Sequence, residues 1–289
     1  MSYGCQSMVA PLRRVIVKRP QSAYRNADSI AAQWRDLAYT APPDLVRASQ
    51  EHERFVSSLG DAEVLYLEDA EGTGLDSIYT HDPALITDAG AIIFQTGKIA
   101  RRGEGPALAT ALAQWDIPVL GILDGLATAE GGDLLWLDRQ TLVAGRGFRT
   151  NAAGIAALRA LLDNYNIRII SVDLPYWTGP ADCLHLMSLI SLLDMDLAVV
   201  YKRLLPLQLY ELLQERAIQM IEIPEEEYAS QACNVLAIAP RKLVMLKGNP
   251  GTREKLQAAG CEVSEFEGAE ISLKGSGGPT CLTRPLWRS

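Results

Sequence analysis

Apolar and basic side chains alternate over residues 11–19 around Val15, Ile16 and Val17, and the pattern stops at Pro20, which predicts a strand. Residues 21–43 show no such period and carry Trp34, Tyr39 and the pair Pro42-Pro43. A stretch of that length predicts a long excursion, either a lid or a solvated loop. Asp44 is placed to cap an amphipathic helix running to about Leu59, with Leu45, Phe55 and Leu59 apolar. A short strand is expected at 62–67.

From there one pattern recurs. An apolar strand, a short polar turn and a second apolar strand appear at 84–87 and 91–94, and at 134–137 and 141–144. They appear again at 189–193 and 197–201, and at 234–238 and 243–246. Helical segments follow at 105–114, 151–162, 205–215 and 252–259, each leading to one more strand at 117–120, 167–172, 220–223 and 263–266. This is a ββαβ unit repeated at intervals of roughly fifty residues, a period that suggests a closed, propeller-like ring. The N-terminal strand, paired with a segment at 281–284, would complete a fifth unit. The expectation is a five-bladed α/β propeller with pseudo-five-fold symmetry, one domain over 1–289 with no linker.

Composition narrows the function classes. The 289 residues are 48% hydrophobic and 21% charged, ample for a large core, and the net charge of −8 speaks against a nucleic-acid partner. No apolar run of membrane-spanning length occurs, and the first residues lack the charged and apolar regions of a signal peptide. The five cysteines lack paired spacing, as expected of reduced thiols in the cytoplasm, and the three histidines lack zinc-site spacing, so no metal is expected.

Polar clusters precede the first strand of successive units: His81-Asp82, Glu130-Gly-Gly-Asp133, Asp182-Cys-Leu-His185 and the glycine-rich run ending at Cys281. Each has a plain structural reading. Asp82 before Pro83 can open a turn, Glu130 and Asp133 can cap a loop, His185 can be a hydrogen-bonded core residue, and Cys281 can be buried and inert. Pseudo-symmetry would bring all of them to one end of the central axis. A thiol beside a histidine is a covalent-catalysis pair. Carboxylates around a thiol raise its pKa unless the substrate is a cation, and a guanidinium answers both demands because carboxylates hold its planar N–H groups.

With these motifs in order, the chain resembles the guanidine-modifying penteins: dimethylarginine dimethylaminohydrolases, arginine deiminases and glycine amidinotransferases. The resemblance implies that Asp82, in Thr-His-Asp-Pro, grips the guanidinium and that Glu130, in Glu-Gly-Gly-Asp, is a catalytic glutamate. His185, in Cys-Leu-His-Leu, would be the acid/base and Cys281 the nucleophile. Arg101 and Arg149 would bind the substrate's α-carboxylate, with Asp133 and His81 also at the substrate; Arg149 could instead pair near the helix that begins at Asn151. Two positions depart from the family pattern. Met187 stands where deiminases and amidinotransferases carry a second aspartate, and it either gives apolar room to a methylated nitrogen or packs in the core. His81 stands where dimethylarginine hydrolases tend to have glutamate. The resemblance implies hydrolysis of a methylated arginine to citrulline without a cofactor. Another guanidino or ureido substrate, amidino transfer, or a non-catalytic binding protein of the same fold are the rival readings. A small guanidino molecule is the expected partner, and a homodimer is left open.

Overall fold

A computed structural model describes residues 2–180 and 182–289. The N-terminal strand forms over Leu12–Val17 (β1), where Val15, Ile16 and Val17 are fully buried. It pairs in parallel with Glu63–Tyr66 (β2). Between them lie two short helices, Pro20–Ala23 (α1) and Ala27–Gln33 (α2), and a longer one, Leu45–Ser57 (α3). Asp44 caps α3 as expected, its carboxylate accepting from Arg47 N at 2.9 Å.

The excursion expected at 21–43 is therefore partly helical. Asn26 caps α2, and Ile30, Leu37 and Tyr39 are buried against Phe55 and Leu75. Its apolar side chains gave no readable period because they serve two short helices and a turn rather than one regular element.

Four units then follow the repeat. Ala84–Thr87 (β3), Gly90–Ile93 (β4), Glu104–Gln114 (α4) and Val119–Ile122 (β5) form the first. Leu134–Asp138 (β6), Thr141–Arg146 (β7), Ala152–Leu162 (α5) and Arg168–Asp173 (β8) form the second. Ile190–Asp194 (β9), Leu197–Val200 (β10), Leu207–Glu215 (α6) and Gln219–Glu222 (β11) make the third. Leu236–Ala239 (β12), Lys242–Leu246 (β13), Pro250–Ala258 (α7) and Glu262–Phe266 (β14) make the fourth. In each the first two strands are antiparallel and the last runs parallel to the middle one.

Burial explains the composition of these strands. The middle strands β4 and β10 are buried at every position, which suits their unbroken apolar runs, whereas β5, β8, β11 and β14 lie at sheet edges and mix exposed with half-buried or buried positions. Neighbouring sheets share one core, as where Leu137 and Val143 cluster with Leu192 and Val199.

The last strand, Arg284–Arg288 (β15), pairs antiparallel with β1, so the two chain ends share a fifth three-stranded sheet of the same plan. This corrects one boundary. The closing strand was expected at 281–284, but Cys281 sits on the turn before it. Pro279 cannot donate to a ladder, and Thr283 Oγ1 turns back onto the carbonyls of Pro279 and Thr280, holding the chain in a turn until Arg284. Among the described residues no helix is long and apolar enough to cross a membrane.

Candidate active site

The turns that enter β3, β6, β9 and β15 meet at one cavity of about 530 Å³, lined by Asp82, Arg101, Arg149, His185, Met187 and Cys281 among others. Entry positions of equivalent strands thus converge, as pseudo-symmetry predicted.

Two of these turns interlock. Asp82 O and Oδ1 accept from Gly131 N at 3.0 Å and Gly132 N at 3.1 Å, tying the turn before β3 to the one before β6. Gly132 must be glycine, because a Cβ there would lie 2.5 Å from His185 Nδ1. His185 Nε2 is 2.7 Å from Glu130 Oε2, and its Nδ1 faces the Cys183 thiol at 3.7 Å. The other Glu130 oxygen accepts from Lys98 N at 3.1 Å and lies 3.7 Å from Arg149 Nη1.

Burial and charge oppose each other in this group. Burial favours the neutral carboxylic acids, but the Arg101 and His185 charges outweigh it at Asp82, and His185 outweighs it at Glu130, so both are held below the ordinary carboxylate range. Burial likewise disfavours a charged His185, yet Cys183, Asp82 and Asp133 around it raise its pKa well above the ordinary value. Asp82, Glu130 and His185 place candidate ligand atoms within 4.8 Å of one another, a spacing a cation could also use. Here Asp82 is already paired with Arg101 and Glu130 with His185.

Cys281 is delivered by the turn before β15, and packing holds that turn. A Cβ on Gly277 would fall 2.3 Å from the Tyr79 ring. Asn234 Nδ2 donates to Cys281 Sγ at 3.2 Å while its Oδ1 accepts from Thr280 N at 3.0 Å, clamping the thiol and its backbone. Burial and then Asp82 push the Cys281 thiol up to about 11, against the lowering effects of His185 and Asn234.

Asn234 was not among the residues expected at the site. A signal existed: it stands two residues before β12, as Asp82 stands two residues before β3. Lys98, also unassigned, lines the cavity with Nζ on Asp76 at 2.6 Å and on Leu37 O at 2.9 Å. That carbonyl belongs to the 21–43 segment, whose Asp36, Leu37 and Ala38 form part of the cavity wall.

Three residues expected at the substrate already have protein partners, although Arg101 and His81 line the cavity. The Arg101 guanidinium binds Glu104 through Nε at 2.9 Å and Nη2 at 2.8 Å, Asp82 through Nη1 at 2.6 Å and Tyr79 O at 3.0 Å, which leaves it little to offer a carboxylate. Asp133 does not line the cavity; it is fully buried and accepts from Leu186 N at 3.0 Å, fixing the turn that carries His185. His81 lies at the cavity floor, its Nδ1 on Thr283 O at 2.8 Å, and burial followed by the nearby Arg284 charge keeps it neutral. Among the described residues, Arg149 by contrast makes a 3.4 Å contact to Asp182 O besides its distant pairing with Glu130. Met187 belongs to the apolar core and also lines the cavity.

The sequence matches the family model described as arginine deiminase over residues 75–211 and 205–288. It is 27% identical to the N(G),N(G)-dimethylarginine dimethylaminohydrolase of Pseudomonas aeruginosa, covering 85% of this chain and 91% of that protein. The structure of the Pseudomonas aeruginosa enzyme complexed with citrulline superposes with a TM-score of 0.75 at 24% identity, covering 94% of this chain and 98% of that one. The N-terminal domain of ArgZ, an arginine dihydrolase from cyanobacteria, superposes at 0.79 with 21% identity, covering 95% of this chain and 97% of that one. The fold they share is the α/β pentein fold.

Proposed function

The chain belongs to the arginine deiminase family of guanidino-group hydrolases, and from that premise we propose that it hydrolyses an Nω-methylated arginine to citrulline and a methylamine. The reading rests on one observation above all: a thiol, a histidine and the ionised carboxylate of Asp82 border a single cavity whose remaining wall includes the apolar Met187, with Glu130 fully buried against that histidine. We also read the five sheets as blades of one closed propeller, forming a single catalytic domain over 1–289.

Asp82, on the cavity wall, keeps oxygen lone pairs beyond its present partners and holds the substrate's guanidinium, while Glu130, fully buried, holds His185 in place. Arg149, the least engaged arginine of the wall, takes the α-carboxylate. Arg101 acts through Asp82, keeping that carboxylate charged and aimed.

The resting nucleophile is a thiol. A guanidinium bound against it adds the positive charge that releases its proton to solvent through the open cavity. The Cys281 thiolate attacks the guanidinium carbon, the C–N bond to the methylated nitrogen breaks, and the amine leaves with a proton from the His185 imidazolium. His185 Nε2 is occupied by Glu130, so Nδ1 supplies that proton. The S-alkylthiouronium is then attacked by water, whose proton passes to the now neutral His185. The C–S bond breaks, and the ureido product leaves as the thiolate returns.

A second reading takes unmethylated arginine as substrate, favoured by the match to the arginine deiminase model. Incubation with asymmetric dimethylarginine, monomethylarginine, arginine and citrulline, with mass-spectrometric identification of products, separates the two. Citrulline and methylamines from the methylated substrates alone are expected. Turnover of arginine alone transfers the mechanism to the second reading, and turnover by Cys281→Ser ends the covalent mechanism altogether.

A further inference from the structure

Beneath the catalytic cavity lies a second, much smaller one of about 30 Å³, separated from it by His81, Met187 and Thr280, which line both. Its wall is apolar for the most part, with Leu134, Ile190 and Leu236, yet it carries two arginines of β15, Arg284 and Arg288, and the indole of Trp136 on β6. All three side chains are at least nineteen-twentieths buried.

The donors around this cavity exceed the acceptors. Arg284 Nη1 donates to Ala84 O at 2.8 Å and its Nη2 lies 2.6 Å from His81 Nε2. Arg288 Nη1 and Nη2 donate to Ala10 O at 2.6 Å and Ala237 O at 2.8 Å. That leaves Arg284 Nε, Arg288 Nε and Trp136 Nε1 as buried N–H groups with no protein partner. Buried donors are satisfied in all but a few cases, so three around one small cavity call for a shared acceptor.

Charge adds a second requirement. Neither guanidinium pairs with a carboxylate among the described residues, no aspartate or glutamate lines the cavity, and the partners they do have are neutral carbonyls and a neutral imidazole. Asp82, the nearest acid in sequence to His81, is taken by Arg101 and Gly132. Cys5 lines the cavity, but burial raises its pKa despite Arg288 and Arg284, so it stays a thiol. Two buried like charges without a counter-charge are costly, and water satisfies donors but neutralises nothing.

We propose that this axial cavity is a binding site for a monatomic anion of halide type, chloride under ordinary conditions, held by Arg284 Nε, Arg288 Nε and Trp136 Nε1. The volume suits a single small ion. The ion supplies the missing negative charge to β15, which carries the turn of Cys281 and locks the two chain ends into one sheet. The site is independent of the substrate assignment.

Crystals of the full chain grown with bromide in place of chloride test this directly: an anomalous peak is expected in the cavity within reach of the three donors. In solution the melting temperature should rise by roughly 2–4 °C for each tenfold increase in chloride above its dissociation constant. Sodium gluconate at matched ionic strength, too large for the cavity, should not produce that rise. Trp136→Phe should shrink the chloride-specific shift while leaving the chain folded, and Arg288→Met should abolish it. Cys5→Ala should retain it. Absence of a peak together with equal melting in the two salts overturns the proposal and leaves a water-filled cavity. A peak without chloride-specific stabilisation overturns it too, as binding at crystal concentration only.

Discussion

Glu130 Oε2 and His185 Nε2 meet at 2.7 Å with both side chains withdrawn from solvent, so the charge on each depends on the other. Removing one partner of such a buried pair costs about 3–5 kcal/mol, because the survivor is left unpaired. Glu130→Gln should therefore lower the urea midpoint and lower the His185 pKa, which Cys183, Asp82 and Asp133 still hold up, read by NMR titration. The pH dependence follows from the signs. The lowered Glu130 contributes stability that is complete above about pH 4.5 and lost as pH falls through its folded value. The raised His185 contributes stability that is complete below about pH 6.5 and lost as pH rises through its folded value. The difference in midpoint between wild type and Glu130→Gln should thus be greatest between these limits. A difference constant with pH would count against the charged pair.

The thiol at Cys281, pushed up to about 11, should be nearly inert to iodoacetamide at neutral pH and gain reactivity only in alkali. A saturating, unreactive alkylguanidinium should move that profile to lower pH if it leaves the sulfur reachable. A neutral urea of the same shape should not. Equal profiles with and without the cation would remove substrate charge as the activator.

Asn234 donates to the thiol and accepts from the N–H of the preceding residue, Thr280, so its loss affects charge and placement together. A hydrogen bond to a charged group contributes roughly 1.5–3 kcal/mol, which corresponds to about a 10- to 100-fold fall in kcat for Asn234→Ala. The alkylation profile of Cys281 should shift to higher pH in the same variant. A change in KM alone would make Asn234 a substrate contact instead.

Arg101 and Arg149 should part company. Arg101→Met leaves Asp82 and Glu104 buried without their cation, and a loss of about 3–5 kcal/mol in stability is expected. Arg149→Met should barely move the melting temperature and instead raise KM at least tenfold for substrates bearing an α-carboxylate, with little effect on those lacking it. The reverse pattern would exchange the two roles.

Met187→Asp adds a carboxylate two residues from His185, at a position that lines the cavity. Ratios of kcat/KM should shift from dimethylarginine toward arginine, whose unsubstituted nitrogens can meet the new acceptor. An unchanged ratio would place Met187 in the core alone.

The strands of the four repeated units were readable because their faces are uniformly apolar and bounded by short polar turns. Leu197–Val200 and Thr141–Ala144 declare themselves without help from the rest of the chain. The cap at Asp44 was equally local. The stretch from Gln21 to Pro43 was not readable, since Ile30, Leu37 and Tyr39 are sorted by contact with α3 and distant segments rather than by a local period.

Residue types and their place in the repeat pointed, from sequence alone, to Asp82, Glu130, His185 and Cys281 as neighbours on the turns that enter successive units. What each does to its neighbours was decided only in three dimensions. Arg101 and Arg149 look alike in sequence, yet one is saturated by Glu104 and Asp82 and the other is nearly free. Asn234 becomes a partner of Cys281 across 47 residues, and Arg284 and Arg288 become buried charges only when β15 closes on β1. The reason is physical: secondary structure follows from the period of a short segment, whereas protonation, pairing and desolvation depend on which distant groups share the same few ångströms.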